Sequence, residues 1–190
     1  MINIMGNDSP TMNNIQFFSD FAHGISTIEN LNEPTDLLID LIRQTVASSG
    51  RVLIFANGGS AAIASHIAVD FTKTCNVPTM VFHDSAMLTC FANDFGYEHT
   101  YEKIVNYFAN SNDLVILISS SGESNNLINA AEVCRSLGLK VFTLTGFKST
   151  NRLRTENKFG FWVESVNYNY VEAMHLVFLL NICEFLRKVI

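Results

Sequence analysis

The sequence is poor in proline, in basic residues and in paired cysteines, and each shortage excludes a class of protein. Only three prolines among 190 residues, with 48% hydrophobic content, argue against a disordered chain. The net charge of -6 and the lack of a lysine- or arginine-rich run argue against direct contact with nucleic acid. The four cysteines are widely spaced without a Cys-x-x-Cys pair, which favours buried reduced thiols over disulfides or a zinc knuckle.

The sequence also lacks membrane and nucleotide signals. No apolar run approaches the roughly 20 residues that a helix needs to cross a bilayer, and residues 1–14 show no signal-peptide pattern. We therefore expect a cytoplasmic protein without membrane contact. Neither G-x-x-x-x-G-K-[ST] nor G-x-G-x-x-G occurs, so triphosphates and dinucleotides have no support.

A serine-rich segment is the most informative feature that is present. Residues 118–124 read Ile-Ser-Ser-Ser-Gly-Glu-Ser, between an apolar run at 114–118 and a helical pattern that begins near Asn125. Such a loop directs backbone N–H groups and hydroxyls toward one point, where the following helix adds partial positive charge. The segment predicts a phosphate site, with an ordinary turn or helix cap as the open alternative.

A second loop of the same kind lies upstream. The apolar run at 51–56 leads into Asn57-Gly58-Gly59-Ser60, before a helical stretch at 61–73. Glycine permits close backbone approach, and Asn57 and Ser60 offer side-chain hydrogen bonds. Ligands of parallel α/β sheets bind at the carboxyl ends of the strands, so both loops are expected to face one ligand.

Strand and helix patterns alternate along the chain and predict an α/β fold. We expect a five-stranded parallel sheet flanked by helices, in a flavodoxin-like three-layer α/β/α arrangement. The whole chain is predicted to be one domain, 1–190, with an N-terminal helical segment at 13–49, a sheet core at 51–165 and a C-terminal helix at 170–188. The predicted strands are 52–55, 79–82, 114–118, 140–144 and 159–163, and the first two helices are 13–29 and 35–49, the second capped by Thr35.

The C-terminal helix is apolar around most of its circumference, which predicts burial on several sides. Packing against another subunit is the simplest explanation, with burial inside one subunit as the alternative. We take Leu179 as an outward apolar position on this helix.

Several motifs together resemble one known family. They are Asn57-Gly-Gly-Ser60 with Ala61-Ala62 and His66, Asn93-Asp-Phe-Gly96, the serine segment 118–124, and Leu144-Thr-Gly146. From about residue 35 to the end, the chain is similar to the sugar isomerase (SIS) domains, and within them to the phosphoheptose isomerases. The resemblance implies a single SIS domain in a homotetramer with active sites between subunits. It also implies conversion of sedoheptulose 7-phosphate to a heptose 7-phosphate, which feeds lipopolysaccharide or capsule synthesis.

The resemblance assigns binding roles to residues of both loops and beyond. The implied phosphate contacts are Ser119, Ser120, Ser121 and Ser124, and the implied sugar contacts are Asn57, Gly58, Gly59, Ser60, Asp94 and Glu172.

The catalytic pair of the family carries over incompletely. The family's Glu position corresponds to Asp70, and its His position corresponds to Leu180, which cannot transfer a proton. His175 is the other candidate, but it projects roughly 140° away from position 180 on an ideal helix. A hydrogen-bonded interface histidine is the alternative role for His175.

The resemblance also offers a metal site, although no cofactor is required. His66 and Asp70 share a helix face at i, i+4 and can ligate one ion, and Glu172 falls where the family has a joining Gln. Zinc is the metal implied. A simple hydrogen bond between His66 and Asp70 is the alternative.

Two function classes remain open. One is an aldose-ketose isomerase acting on sedoheptulose 7-phosphate. The other is a non-catalytic SIS protein that senses a phosphosugar or serves as a tetrameric adaptor, such as a protein that binds the replication initiator. Leu180 favours the second class, whereas similarity along the chain favours the first.

Overall fold

The computed structural model describes residues 15–27 and 31–189. The five strands form one parallel sheet in the order β2-β1-β3-β4-β5, which confirms the predicted fold class. The strands are β1 Val52–Ala56, β2 Thr79–Val81, β3 Leu114–Ser119, β4 Lys140–Thr145 and β5 Gly160–Trp162. Each runs within two residues of its predicted bounds.

Helices connect the strands and cover the sheet. They are α1 Gln16–Thr27, α2 Asn32–Ala47, α3 Gly58–Lys73, α4 Ser85–Phe95, α5 Thr100–Phe108, α6 Asn125–Ser136, α7 Arg152–Thr155 and α8 Tyr168–Val189, with a 3-10 turn at Tyr97–His99. The outermost residues of the first predicted helix, 13–14 and 28–29, lie outside the described residues. Within the described residues, no helix is long and apolar enough to cross a membrane.

Two helices begin earlier than predicted. Helix α2 begins at Asn32, so the prediction of Thr35 as its cap was wrong. Pro34 falls within the first turn, where a missing N–H breaks no helical hydrogen bond. Helix α3 begins at Gly58, so the two glycines and Ser60 form its first turn instead of a preceding loop.

Each face of the sheet carries its own apolar cluster. Alternate side chains of the central strands, such as Ile54 and Ile116, pack with α2, α3 and α8. Their neighbours, such as Phe55 and Val115, pack with α5 and α6 on the other face. This arrangement is the expected three-layer α/β/α packing, and it leaves the carboxyl ends of the strands open at one edge.

Helix α8 is buried mainly within its own chain. Its fully or nearly buried apolar residues are Val171, Met174, Phe178, Leu179, Ile182, Cys183 and Leu186. The choice of Leu179 as an outward position was therefore wrong, since its side chain is 0% exposed. Among the described side chains of α8, the large hydrophobic residues that stay exposed are Tyr168, Val177 and Phe185, at 57%, 39% and 49%. Internal packing accounts for most of the apolar character that suggested a subunit contact.

The cysteines are free thiols, and three of the four are buried. Cys90 is exposed, contrary to the expectation that all four would be inside. Burial raises the pKa of Cys134 to about 12, so this thiol stays protonated and packs as a small apolar group.

Candidate active site

A cavity of about 240 Å³ opens at the carboxyl ends of β1 and β3. Its walls are Asn57, Gly58, Gly59, Ser60, Ile118, Ser119, Ser120, Ser121, Ser124, Tyr168 and Glu172. The structure thus brings both polar loops and Glu172 to one cavity. Nine of the ten residues predicted to contact a substrate line it, and Asp94 is the exception.

The serine loop presents hydroxyls at the N-terminus of α6. The Ser119 and Ser124 hydroxyls lie 3.2 Å apart, and the Gly122 N–H donates to Ser119 Oγ at 3.1 Å. Ser124 occupies the cap position of α6 but makes no capping side-chain bond, so helix capping does not account for its hydroxyl. Ser120 Oγ is buried without a partner among the described residues. A bound oxyanion would satisfy it.

Asn57 is held in place by two residues that the sequence did not single out. Asn57 and Asn126 exchange two amide hydrogen bonds of 3.0 and 2.9 Å, and the Tyr97 hydroxyl donates to Asn57 Oδ1 at 2.8 Å. Asn126 is 2% exposed. The available clue to Asn126 was its place in the first turn of α6, directly after the serine loop.

Among the described residues, Glu172 is the one carboxylate on the cavity wall. A Cβ added to Gly59 would lie 2.5 Å from Glu172 Oε2, so the carboxylate rests against the first turn of α3. The partial positive charge of a helix N-terminus favours a carboxylate there. A side chain at position 59 would collide with this carboxylate, so the observed position of Glu172 requires glycine there. Glu172 can accept hydrogen bonds from sugar hydroxyls or accept a proton.

Tyr168 is a further wall residue that was not predicted. It begins α8, and its ring meets the edge of Phe147 with centroids 4.7 Å apart. Its hydroxyl gives the wall a second group able to carry a proton. No local pattern marked it, because its position depends on how α8 packs over the sheet edge.

Asp94 is not among the wall residues of this cavity. It is an exposed residue of α4, and its carboxylate accepts a hydrogen bond of 3.0 Å from the neighbouring Asn93 amide. Its contact with a sugar stays a prediction.

His66 and Asp70 lie together on α3, as their spacing predicted. His66 Nε2 is 3.3 Å from Asp70 Oδ2, and the His66 side chain is about half exposed. This contact matches the hydrogen-bonded alternative. In the described ranges no three His, Cys, Asp or Glu side chains are placed to hold a metal ion, so Glu172 does not complete a site with them. A zinc site built from His66, Asp70 and Glu172 stays a prediction.

His175 is fully buried and does not line the cavity. Its side chain is 0% exposed, and Nε2 donates to the Thr145 carbonyl at 3.1 Å. Burial lowers the pKa of His175 to about 4, although the hydrogen bond to Thr145 opposes the shift. Leu180, at the position where the resemblance implies a histidine, is half-buried against the core. The geometry therefore favours the hydrogen-bonded role of His175 over a catalytic one, which stays untested.

His175 should make the fold sensitive to acid. The pKa of His175 is about 4 in the folded chain, below the ordinary value of 6.5. Between these two pH values, His175 is therefore protonated in the unfolded chain and neutral in the folded chain. The free energy of unfolding is therefore unaffected by this group above pH 6.5. It decreases as the pH falls from 6.5 to 4, by up to about 3 kcal/mol. Urea unfolding should show that the advantage of wild type over His175→Gln shrinks across this window. Parallel pH profiles for the two proteins would contradict the assignment.

Gly122 is expected to be a costly position in the serine loop. It has φ +68°, and a Cβ there would overlap the side-chain amide of Asn151, which donates to the Gly146 carbonyl at 3.1 Å. Gly138 is a matched control, with φ +69° and open space around it. Denaturant unfolding should show a loss of roughly 1 to 2 kcal/mol for Gly138→Ala, from backbone strain alone. Gly122→Ala should lose roughly 2 to 5 kcal/mol, because a buried clash is added. Equal losses would contradict the packing described.

The fold is a parallel α/β fold with a serine-lined cavity at the carboxyl ends of its strands, and comparison with known proteins identifies its family. The SIS domain model matches residues 16–146, and the chain belongs to the SIS domain family. It is 32% identical to the phosphoheptose isomerase of Aliarcobacter butzleri over 163 residues, covering 83% of this chain and 86% of that protein. It is 33% identical to that of Thermodesulfovibrio yellowstonii over 176 residues, covering 90% and 84%.

The solved structure of the phosphoheptose isomerase from Neisseria gonorrhoeae superimposes with a TM-score of 0.83 at 26% identity. The match covers 89% of this chain and 94% of that one. Nearly the whole described chain therefore follows the architecture of a phosphoheptose isomerase.

Proposed function

We propose that the chain binds a sugar phosphate in the serine-lined cavity. The observation that carries this proposal is the convergence of four serine residues and the Asn57–Ser60 segment on one cavity beside two helix N-termini. The phosphate would lie on the serine loop, where hydroxyls and N–H groups donate. The sugar would extend toward Asn57 and Glu172, whose oxygens can accept from its hydroxyls.

The reaction proposed is the isomerisation of sedoheptulose 7-phosphate to an aldose 7-phosphate, in line with the relatives' activity. A base takes a proton from C1 of the ketose, an enediol forms, and a proton returns at C2 while a hydroxyl proton moves from O1 to O2. Glu172 is the wall carboxylate that can perform the carbon proton transfer, and Tyr168 can serve the oxygens. Asp70, from a neighbouring subunit, is the competing base that the resemblance implies.

A non-catalytic role is the second candidate, and Leu180 favours it. Leu180 is half-buried against the core at the position where the resemblance implies a second proton-transfer group. His175 is fully buried and does not line the cavity. In that case the cavity would bind a phosphosugar without turnover. The protein would then act as a sensor or as an adaptor for another protein. Both candidates include a cytoplasmic homotetramer, for which light scattering should return four times the chain mass.

Deuterium exchange separates the two candidates. The purified protein is mixed with sedoheptulose 7-phosphate in D₂O and followed by NMR. An isomerase produces aldose phosphate and incorporates solvent deuterium at C1 or C2, whereas a sensor broadens or shifts the ligand signals without exchange. Because leucine stands where the resemblance implies a catalytic histidine, we expect turnover that is slow but enzyme-dependent. If neither binding nor exchange occurs, the sugar-phosphate proposal fails.

A further inference from the structure

A second and larger cavity, of about 570 Å³, lies at the edge of the sheet formed by β5. It shares no wall residue with the serine-lined cavity. Thr145 and Trp162 come from the last two strands, and Arg154 and Lys158 come from α7 and the segment after it. None of these residues has a role in the function proposed above.

Two cations face this cavity without acidic partners. Within residues 15–27 and 31–189, neither Arg154 nor Lys158 forms a salt bridge. Arg154 instead donates to the Ser149 carbonyl at 2.6 Å and lies 5.0 Å over the Trp162 ring. Among the described residues, Glu33 is the one acidic residue on the wall. The described wall residues therefore carry a net positive charge, although the net charge of the whole chain is -6.

Two buried donors at the same wall lack partners. Thr145 is 1% exposed, and its hydroxyl has no hydrogen-bond partner among the described residues. The indole N–H of Trp162 is likewise buried without a partner there. Leaving a buried donor unsatisfied costs roughly 1 to 3 kcal/mol. A guanidinium, an ammonium, a hydroxyl and an indole N–H are all donors, and an oxyanion is the ligand that accepts from such a set.

We propose that this cavity is a second anion site, which takes the dianionic phosphate group of a small molecule. Its volume leaves room for more than the phosphate itself. The site is placed to influence the first one, because Gly146, the residue after Thr145, donates its N–H to the Ser120 carbonyl at 2.9 Å. A ligand that holds Thr145 would therefore stiffen the support of the serine loop.

The chain's single tryptophan makes the proposal directly testable. Trp162 lines this cavity, so its indole N–H signal in ¹H–¹⁵N NMR reports on binding there. Inorganic phosphate is titrated at constant ionic strength, and a saturable shift of that signal is expected. The shift should persist in Ser121→Ala/Ser124→Ala, which alters the first cavity only. It should require at least tenfold more phosphate in Lys158→Gln and in Arg154→Gln/Lys158→Gln.

The control is Lys148→Gln/Arg152→Gln, which removes the same charge from nearby residues outside the cavity wall. It should titrate like wild type. Lys158→Gln alone leaves the Arg154 contact with Trp162 in place, so its effect cannot come from a displaced ring. The proposal is overturned if phosphate causes no saturable shift, if the serine variant abolishes the shift, or if the control loses as much affinity as the cavity variants.

Discussion

Replacing Glu172 by Gln is expected to slow isomerisation of sedoheptulose 7-phosphate by about 10²- to 10⁴-fold, the usual contribution of a general acid-base group. The amide keeps the shape of the side chain against Gly59 but cannot accept the proton. Binding should hold or become tighter, because a negative charge is removed from beside an anion site. Deuterium exchange at the sugar carbons measures the rate, and calorimetry measures the affinity.

Glu184→Gln is the matched control, since Glu184 lies on the same helix and pairs with the exposed Arg187. It should change neither quantity. If Glu172→Gln exchanges deuterium at the wild-type rate, Glu172 is not the base, and Asp70 becomes the favoured candidate. A protein that loses both rate and affinity would place Glu172 in sugar binding alone.

Removing two hydroxyls from the serine loop is expected to weaken sugar-phosphate binding by roughly 1 to 3 kcal/mol, or about 5- to 150-fold. Ser121 and Ser124 both line the cavity, and the Ser124 hydroxyl is not used to cap α6. Each hydroxyl would donate to a charged oxygen, and such bonds are stronger than neutral ones. Calorimetric titration of Ser121→Ala/Ser124→Ala with sedoheptulose 7-phosphate measures the loss.

The corresponding control is Ser48→Ala/Ser136→Ala. These hydroxyls donate to helix carbonyls on the surface and lie outside the cavity. Their removal should leave affinity unchanged. Unaltered affinity in the serine-loop variant, or an equal loss in the control, would mean that the anion binds elsewhere.

The sheet was predictable from the sequence because its strands are buried on both faces. Such strands appear as continuous apolar runs, as at β1 and β3, and the polar loops after them mark the carboxyl edge of a parallel sheet. The start of α2 was predicted too late because proline can lie within the first turn of a helix or just before the helix begins. Local sequence does not distinguish these positions.

What could not be predicted depends on contacts between distant segments. Asn57 and Asn126 are 69 residues apart, and the contact of Glu172 with Gly59 depends on how α8 packs against α3. The periodicity of α8 predicted burial on several sides but not what covers each side, so Leu179 was assigned outward. The cavity beside Trp162 lies between the edge of the sheet and the start of α2. These segments are far apart in the sequence, and no sequence motif predicts that they lie side by side.

The serine-lined cavity is proposed to hold the phosphate of a sugar phosphate. A crystal structure of the protein with sedoheptulose 7-phosphate tests it most directly. We predict phosphate oxygens within hydrogen-bond distance of the hydroxyls of Ser120, Ser121 and Ser124, with the sugar extending toward Asn57 and Glu172. A sugar phosphate that leaves this loop empty and binds elsewhere, for instance only between Arg154 and Lys158, would contradict it.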